Sequence, residues 1–203
     1  MDIQAAVPVK LEHGARMDLA TFEMLVEQIP GKWPRFELFN GEVVEVTLPN
    51  FGHSQIASVL VFFLNMYLMP RKERAASSEA GLKPIGYSEN TYLIPAVSYF
   101  SKTRYPLIKH KGNPIGAPDI AIEVFSPSNS EEGIVAKAQT YIRGGTQLVW
   151  VVYSTIRKVA VYRADGTYAI LEPDGTLDGG NVLPDFRLDL KEFWNTVDEG
   201  SEE

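Results

Sequence analysis

The chain has no cysteine among its 203 residues, and this absence excludes several classes of site at once. Disulfide frameworks, cysteine-based zinc sites and thiol catalysis all require a sulfur atom. With only three histidines (His13, His53 and His110), a histidine-rich metal cage is not expected either. Any metal site must therefore rest on carboxylates, which favour a hard cation such as magnesium or manganese.

Positive charge and long apolar runs are also scarce. The net charge of −7 argues against a protein that coats nucleic acid, because such proteins are usually strongly basic. The most apolar run, residues 56–69, has 14 residues, whereas a membrane-spanning helix needs about 20. The N-terminus lacks the basic-then-apolar pattern of a secretory signal. We therefore expect a cytoplasmic protein without a membrane partner.

Length and composition favour a single domain. A chain of 203 residues with 45% hydrophobic residues can bury a core of its own. Residues 1–15 lack periodicity and predict a flexible arm, and residues 196–203 are acidic and predict a disordered tail. The domain itself is expected at 16–195.

The hydrophobic pattern predicts an α/β (α+β) fold, a β-sheet with helices packed on it. Asn40-Gly41 suits the type I′ turn of a β-hairpin, and QLVWVVY (147–153) is apolar enough for a central strand buried on both faces. Ser128, three residues before Glu131, indicates a capping box for the helix that follows. The predicted elements are helices at 17–29, 53–69 and 130–145, hairpins at 36–46 and 158–172, and strands at 91–100, 119–125 and 147–153.

Two acids, Asp119 and Glu123, lie in the strand APDIAIEVF (117–125). Residues four apart on a strand face the same side but are separated by about 13 Å, so these two cannot bind one ion together. Glu123 would need a carboxylate partner from a neighbouring strand. Asp119, next to a proline, is expected to hold the strand entry through backbone hydrogen bonds.

Lys137 lies in the middle of the next helix, and Tyr141 shares its face because it is four residues further on. A lysine beside a metal-bound carboxylate could orient or deprotonate a water, or stabilise charge on a phosphate. The alternative is an ordinary exposed helix lysine.

His53 stands at the start of a predicted helix, where it could contact a phosphate, act in acid–base chemistry or only cap the helix. Glu37 and Glu42 flank the turn of the first hairpin, so either could reach the edge of a site. Exposed acids on strands are nevertheless common, and both alternatives stay open.

Taken together, the segments resemble the Uma-two family of restriction-endonuclease-type proteins, a branch of the PD-(D/E)XK nuclease superfamily. The resemblance covers roughly residues 17–194. It rests on FELFNGEVVEV followed by His53, on PDIAIEVFSPS, on Lys137 with Tyr141, on GGTQLVWVVY and on TLDGGNVLPDF.

The resemblance implies a restriction-endonuclease-like mixed central sheet flanked by helices, with an N-terminal β-hairpin extension. It also implies a magnesium- or manganese-dependent DNA endonuclease with Glu123 as the metal-binding acid, Lys137 as the catalytic lysine and His53 nearby, supported by Asp119, Glu42 and Tyr141. Phe125 stands where the nuclease lysine normally lies, so the lysine role moves to Lys137. Ala96 stands where the family has a metal-binding aspartate, which predicts weak or absent metal binding and impaired activity.

Three hypotheses follow for function. The first is an active magnesium-dependent endonuclease, with phosphate contacts from Lys102, Arg104, Lys109 and Lys111. The second is an inactive nuclease fold kept for binding or assembly, and the third is an α/β protein unrelated to nucleic acid. A homodimer is expected by analogy with restriction-type nucleases, which often pair to cut two strands.

Overall fold

A six-stranded mixed sheet forms the centre of the computed structural model, which describes residues 10–29, 35–79, 81–82, 90–105, 116–126 and 129–199. The helices in these ranges are α1 (Leu19–Val26), α2 (Phe51–Leu68), α3 (Glu131–Arg143) and α4 (Leu190–Glu199). The strands are β1 (Arg35–Phe39), β2 (Glu42–Val46), β3 (Ser77–Ser78), β4 (Val97–Tyr99), β5 (Ile120–Phe125), β6 (Leu148–Tyr153), β7 (Lys158–Arg163), β8 (Tyr168–Leu171), β9 (Thr176–Gly179) and β10 (Leu183–Asp189).

The central sheet has the strand order β3-β4-β5-β6-β7-β8. β5 and β6 are parallel, and α3 connects them because parallel neighbours need a crossover. The other neighbours in the sheet are antiparallel. This arrangement confirms the predicted mixed sheet, with β6 as a central strand buried on both faces.

Helices cover both faces of the sheet, which is why its central strands are apolar on both sides. On one face α2 and α4 pack with the β9–β10 hairpin against β5, β6 and β7, and Trp150 stacks on Phe186 with ring centroids 6.0 Å apart. On the other face α3 contributes Ile134, Ala138 and Tyr141. Glu123 lies on the α3 face, since it alternates with Ile122 along β5.

The first hairpin forms around Asn40-Gly41 as predicted, with positive φ angles of 51° and 81° that a type I′ turn requires. It packs with α1 in a separate cluster that includes Phe22 and Leu38. A β-bridge between Leu38 and Tyr92 attaches β1 to the segment leading into β4. That attachment brings the hairpin beside the central sheet.

Two helix starts differ in detail from the sequence-based expectation. The N-cap of α3 is Ser130, whose side chain accepts from the Gly133 N–H, so the predicted capping box is wrong; Ser128 itself lies outside the described residues. α2 begins at Phe51, capped by the Asn50 side chain. The 14-residue apolar run 56–69 was too short for a membrane-spanning helix, but α2 has 18 residues and by length and composition is long enough to cross a membrane.

Both predicted ends of the domain need correction within the described residues. Residues 196–199 are helical rather than disordered, because α4 runs to Glu199 and buries Val197. The spacing of Leu190, Phe193, Trp194 and Val197 is that of an amphipathic helix. At the other end, Gly14 and Ala15 form backbone hydrogen bonds with Val43, so this part of the expected arm is attached to β2.

Candidate active site

Glu123 and Lys137 meet at the interface between β5 and α3. The Lys137 ammonium lies 2.9 Å from Oε1 of Glu123, and the Tyr141 hydroxyl donates a hydrogen bond of 2.8 Å to the same oxygen. The spacing of four residues puts Lys137 and Tyr141 on one face of α3, above the strand. The Lys137 side chain is only 19% exposed, which excludes the alternative of an ordinary surface lysine.

A second carboxylate, that of Glu37, converges on the same ammonium. Oε1 of Glu37 lies 2.9 Å from Nζ of Lys137 and accepts a hydrogen bond of 2.7 Å from the Ile94 N–H. Glu37 is buried although it lies on the β1–β2 hairpin. The attachment of β1 beside residues 92–94 is the reason that this residue, distant in sequence, reaches Glu123.

Burial and mutual repulsion shape the ionisation of this cluster. Burial raises the pKa of the Glu123 carboxyl, with a further increase from Glu37, and these outweigh the lowering effect of Lys137. Burial by itself lowers the pKa of Lys137, but the two glutamates overcome it and raise this pKa above its ordinary value. Burial also raises the pKa of Tyr141, so its hydroxyl stays a donor. Lys137 is therefore a cation at neutral pH rather than a base.

The cluster forms the wall of a pocket of about 570 Å³. Among the described residues, Oε2 of Glu37 and Oε2 of Glu123 take no hydrogen bond. Each glutamate is thus fixed through one oxygen and has the other available. The pocket lining contains four glutamates and two cationic side chains, which makes it net negative: Glu37, Glu45, Glu79, Glu123, Arg35 and Lys137.

Ala96 and Glu123 both line this pocket. Ala96 stands one residue before β4, whose first residue, Val97, pairs with Ile122 of β5. An acid at position 96 would therefore add a carboxylate to the pocket that contains Glu123, where alanine offers only a methyl group.

His53 also lines the pocket, and it is not the residue that caps α2. Asn50 is the cap and accepts from the His53 backbone N–H at 2.8 Å. Burial lowers the pKa of the imidazole; of the smaller effects, Glu79 raises this pKa and Lys137 lowers it further. His53 is thus neutral at neutral pH, and its buried Nδ1 has no hydrogen-bond partner among the described residues.

Asp119 and Arg104 form a structural pair at the other end of β5. Arg104 Nε lies 2.9 Å from Oδ1 of Asp119, and Oδ2 accepts from the Ser101 N–H at 2.7 Å. The Arg104 guanidinium also donates to the carbonyls of Ala117 and Gly145. Asp119 thus holds the strand entry as strand geometry predicts, and Arg104 is engaged within the protein rather than open to a phosphate.

Glu42 and Lys102 do not line the pocket. Glu42 is half-exposed and pairs with Arg16 at 3.4 Å. Its carboxylate therefore does not support the Glu123–Lys137 site, although the sequence predicted that it would. Lys102 is exposed at the Asp119 end of the sheet, and its backbone N–H donates a hydrogen bond to the Glu73 carboxylate. Lys109 and Lys111 lie outside the described residues.

The residue that sequence reasoning underweighted is Glu37. Alternation along β1 places Glu37 on the side of the strand opposite Phe36 and Leu38. The sequence alone does not say whether that side is buried or exposed. Only the docking of the hairpin on residues 92–94 decides between the two.

The sequence profile of the Uma2 family, described as "Putative restriction endonuclease", matches residues 22–191. The chain belongs to the Uma2 family. This confirms the resemblance seen in the sequence motifs, and it associates this Uma2 chain with nucleases of restriction-endonuclease type.

A solved structure shares the fold of this Uma2 protein. It is the crystal structure of a putative nuclease belonging to DUF820 from Anabaena variabilis, with a TM-score of 0.73 and 23% sequence identity. The alignment covers 86% of the present chain and 97% of the other. No curated protein matches the sequence.

Nucleases of restriction-endonuclease type usually use a divalent cation. The oxygen atoms in the pocket can be compared with the ligands that such a cation needs. No group of three or more Asp, Glu or His residues in the described part of the chain is arranged to hold a metal. Magnesium, however, is usually held by one or two carboxylates together with water and substrate phosphate oxygens. Glu37 and Glu123, each with a free oxygen beside a net negative pocket, meet that requirement.

Proposed function

We propose that this Uma2 protein is a magnesium- or manganese-dependent endonuclease that hydrolyses phosphodiester bonds of DNA at the Glu123–Lys137 pocket. The observation that carries the proposal is the convergence of Glu37 and Glu123 on the Lys137 ammonium. Two carboxylates that can hold a divalent cation, beside a fixed ammonium that can stabilise charge on a phosphate oxygen, suit phosphoryl transfer.

Glu37 and Glu123 would hold the cation through their free Oε2 atoms. A bound divalent cation supplies charge neutralisation at a phosphate oxygen and favours ionisation of a bound water. Tyr141 and the Ile94 N–H fix the opposite oxygens, so the two carboxylates keep their orientation whether or not the cation is bound. In this proposal Glu37 supplies the anionic ligand that Ala96 cannot.

Lys137 acts as an electrostatic stabiliser. Its ammonium is charged at neutral pH and can donate to a non-bridging phosphate oxygen, whose negative charge grows as the nucleophile attacks. The neutral imidazole of His53, in the same pocket, can accept a proton from the attacking water. These two roles divide the charge stabilisation and the proton transfer between separate side chains.

The experiment is cleavage of supercoiled plasmid DNA with magnesium or manganese. We expect wild-type protein to nick the plasmid, and Glu123→Gln, Glu37→Gln and Lys137→Met to lose at least about a hundredfold of the rate, as expected for loss of a transition-state contact. Glu42→Gln is the matched control, since it neutralises a glutamate of the same hairpin that pairs outside the pocket. Equal cleavage by wild type and Glu123→Gln would refute the proposal.

A second candidate function is a nucleic-acid-binding module without hydrolysis. It is favoured by the alanine at position 96, because one fewer anionic ligand weakens the affinity for a hard cation. The two candidates differ in a direct way. A binding module would retain DNA in a salt-dependent manner, give no cleavage with either cation, and be unaffected by Glu123→Gln.

A further inference from the structure

Four large apolar side chains on one side of α2 and at its C-terminal end are open to solvent. Phe51, Phe62 and Met69 lie 74%, 54% and 66% exposed, and Met66 beside them is 59% exposed. Since an α-helix turns about 100° per residue, Phe51, Phe62 and Met69 lie within about 20° of one another, and Met66 lies about 60° away. We call these four residues the α2 stripe.

The α2 stripe is about as large as the largest apolar patch of a typical monomer. If a large side chain offers roughly 200 Å² when fully exposed, the four residues expose about 500 Å². The largest patch on a typical monomer is about 300–600 Å² and is often functional. The five buried residues of α2 face the core, so the stripe lies on the side of the helix that faces away from it: Ile56, Ala57, Leu60, Leu64 and Leu68.

We propose that the α2 stripe is the interface of a homodimer in which α2 packs antiparallel against α2 of a second copy. The sequence of the stripe is self-complementary about its midpoint, near residue 60. A twofold axis there sets Phe51 against Met69 of the partner subunit. It also sets the large Phe62 against the small Ser58 of the partner subunit, and Met66 against Ser54 of the partner subunit.

The serines make the pairing sterically possible. The Ser58 hydroxyl donates to the Ser54 carbonyl at 2.8 Å, so its polar group is satisfied within the helix and leaves a small, uncharged surface. Large residues opposite small ones let two helices approach to the 8–10 Å that helix packing requires. Each serine therefore forms a recess for an aromatic or methionine side chain from the other helix.

The absence of charged residues in α2 favours a second copy of this chain as the partner of the α2 stripe. α2 contains no Asp, Glu, Lys or Arg from Phe51 to Leu68, so two copies meet without like-charge repulsion. Antiparallel packing also brings the positive end of each helix dipole beside the negative end of the other. The stripe offers somewhat less than the about 800 Å² per partner of a standard interface, with half-buried Val59 and Phe63 at its border. We therefore expect a concentration-dependent dimer.

Sedimentation velocity of the full chain tests the proposal. Between about 1 and about 100 µM, wild-type protein should shift from monomer to dimer. Phe62→Glu should remain monomeric, because it buries a charge in the interface, while its melting temperature stays near the wild-type value. Ile156→Glu is the matched control, since Ile156 is 56% exposed in the β6–β7 turn, and it should dimerise like wild type.

Cysteine cross-linking tests the orientation, and the absence of native cysteine makes every disulfide informative. An oxidised mixture of Ser58→Cys and Phe62→Cys chains should give mainly the mixed 58–62 disulfide. A parallel pair would instead give mainly 58–58 and 62–62 products, which would contradict the antiparallel arrangement.

Two further outcomes would overturn the dimer. One is a wild-type protein that stays monomeric over the whole concentration range, including a monomer that binds phosphatidylcholine vesicles and loses this binding in Phe62→Glu. The other is a Phe62→Glu variant that still dimerises, which would assign the interface to another surface. None of these measurements depends on nuclease activity.

Discussion

The Lys137 ammonium stands 2.9 Å from Oε1 of Glu123, on the helix that crosses directly over the strand bearing the acid. Glu37 lies at the same distance from the ammonium on its other side. A single buried cation thus holds together two carboxylates that would repel each other without it. This dependence gives the site its first test.

Lys137→Met should destabilise the protein by about 3 kcal/mol at pH 8, because breaking a buried ion pair leaves its carboxylates uncompensated. The loss should shrink as the pH falls. Without Lys137, the pKa of Glu123 in the folded state rises further above its unfolded value. As the pH falls, the folded variant therefore binds a proton at Glu123 before the unfolded chain does, and the free energy of unfolding of the variant increases. Urea denaturation at pH 8 and pH 5.5 measures this. Adding Glu37→Gln should recover part of the loss, and no recovery would show that the two glutamates do not interact.

Ala96→Asp should strengthen cation binding, because position 96 lines the same pocket as Glu123. We expect cleavage to reach half its maximal rate at a magnesium concentration about tenfold lower than for wild type, since an added anionic ligand raises the affinity for a hard cation. Ala96→Asn, of the same size but uncharged, is the control. If both variants respond equally, charge at position 96 is not the cause.

Stability should fall as the pH is lowered through the ordinary pKa of histidine, in part because of His53. Burial lowers the pKa of this imidazole in the folded state. Below about pH 6.5 the unfolded chain therefore binds a proton that the native chain does not yet accept. This lowers the free energy of the unfolded state relative to the native state, so the free energy of unfolding falls. Thermal unfolding of wild type and His53→Gln between pH 7.5 and pH 5 compares the slopes. A variant slope as steep as that of wild type would exclude this contribution.

Arg104→Met should act on stability and not on DNA affinity. The guanidinium pairs with Asp119 and donates to two backbone carbonyls, so its loss should cost about 2 kcal/mol. Lys102→Met removes an exposed cation from the same segment and should leave the melting temperature unchanged. Melting curves, together with DNA retention at several salt concentrations, distinguish the roles. A large fall in DNA affinity for Arg104→Met at unchanged stability would restore it as a phosphate contact.

The sequence by itself determined those features whose cause is local. The Asn40-Gly41 turn follows from backbone conformations that few residue pairs accept, and the strand-helix-strand unit β5-α3-β6 follows from hydrophobic periodicity. Periodicity also set Lys137 and Tyr141 on one helix face and separated Asp119 from Glu123. The same rule could have found α4, whose apolar residues recur at helical spacing among acids that suggested a disordered tail.

Only the tertiary structure decided which distant residues meet. Glu37 and Lys137 are 100 residues apart and come together because β1 docks beside residues 92–94. The sequence indicated Arg104 as a phosphate-binding residue, but in the fold its guanidinium is bound to Asp119 and to two backbone carbonyls. Local spacing fixes the face on which a side chain lies. Whether that face becomes a site, an internal ion pair or an open surface depends on long-range packing, which no short segment of sequence contains.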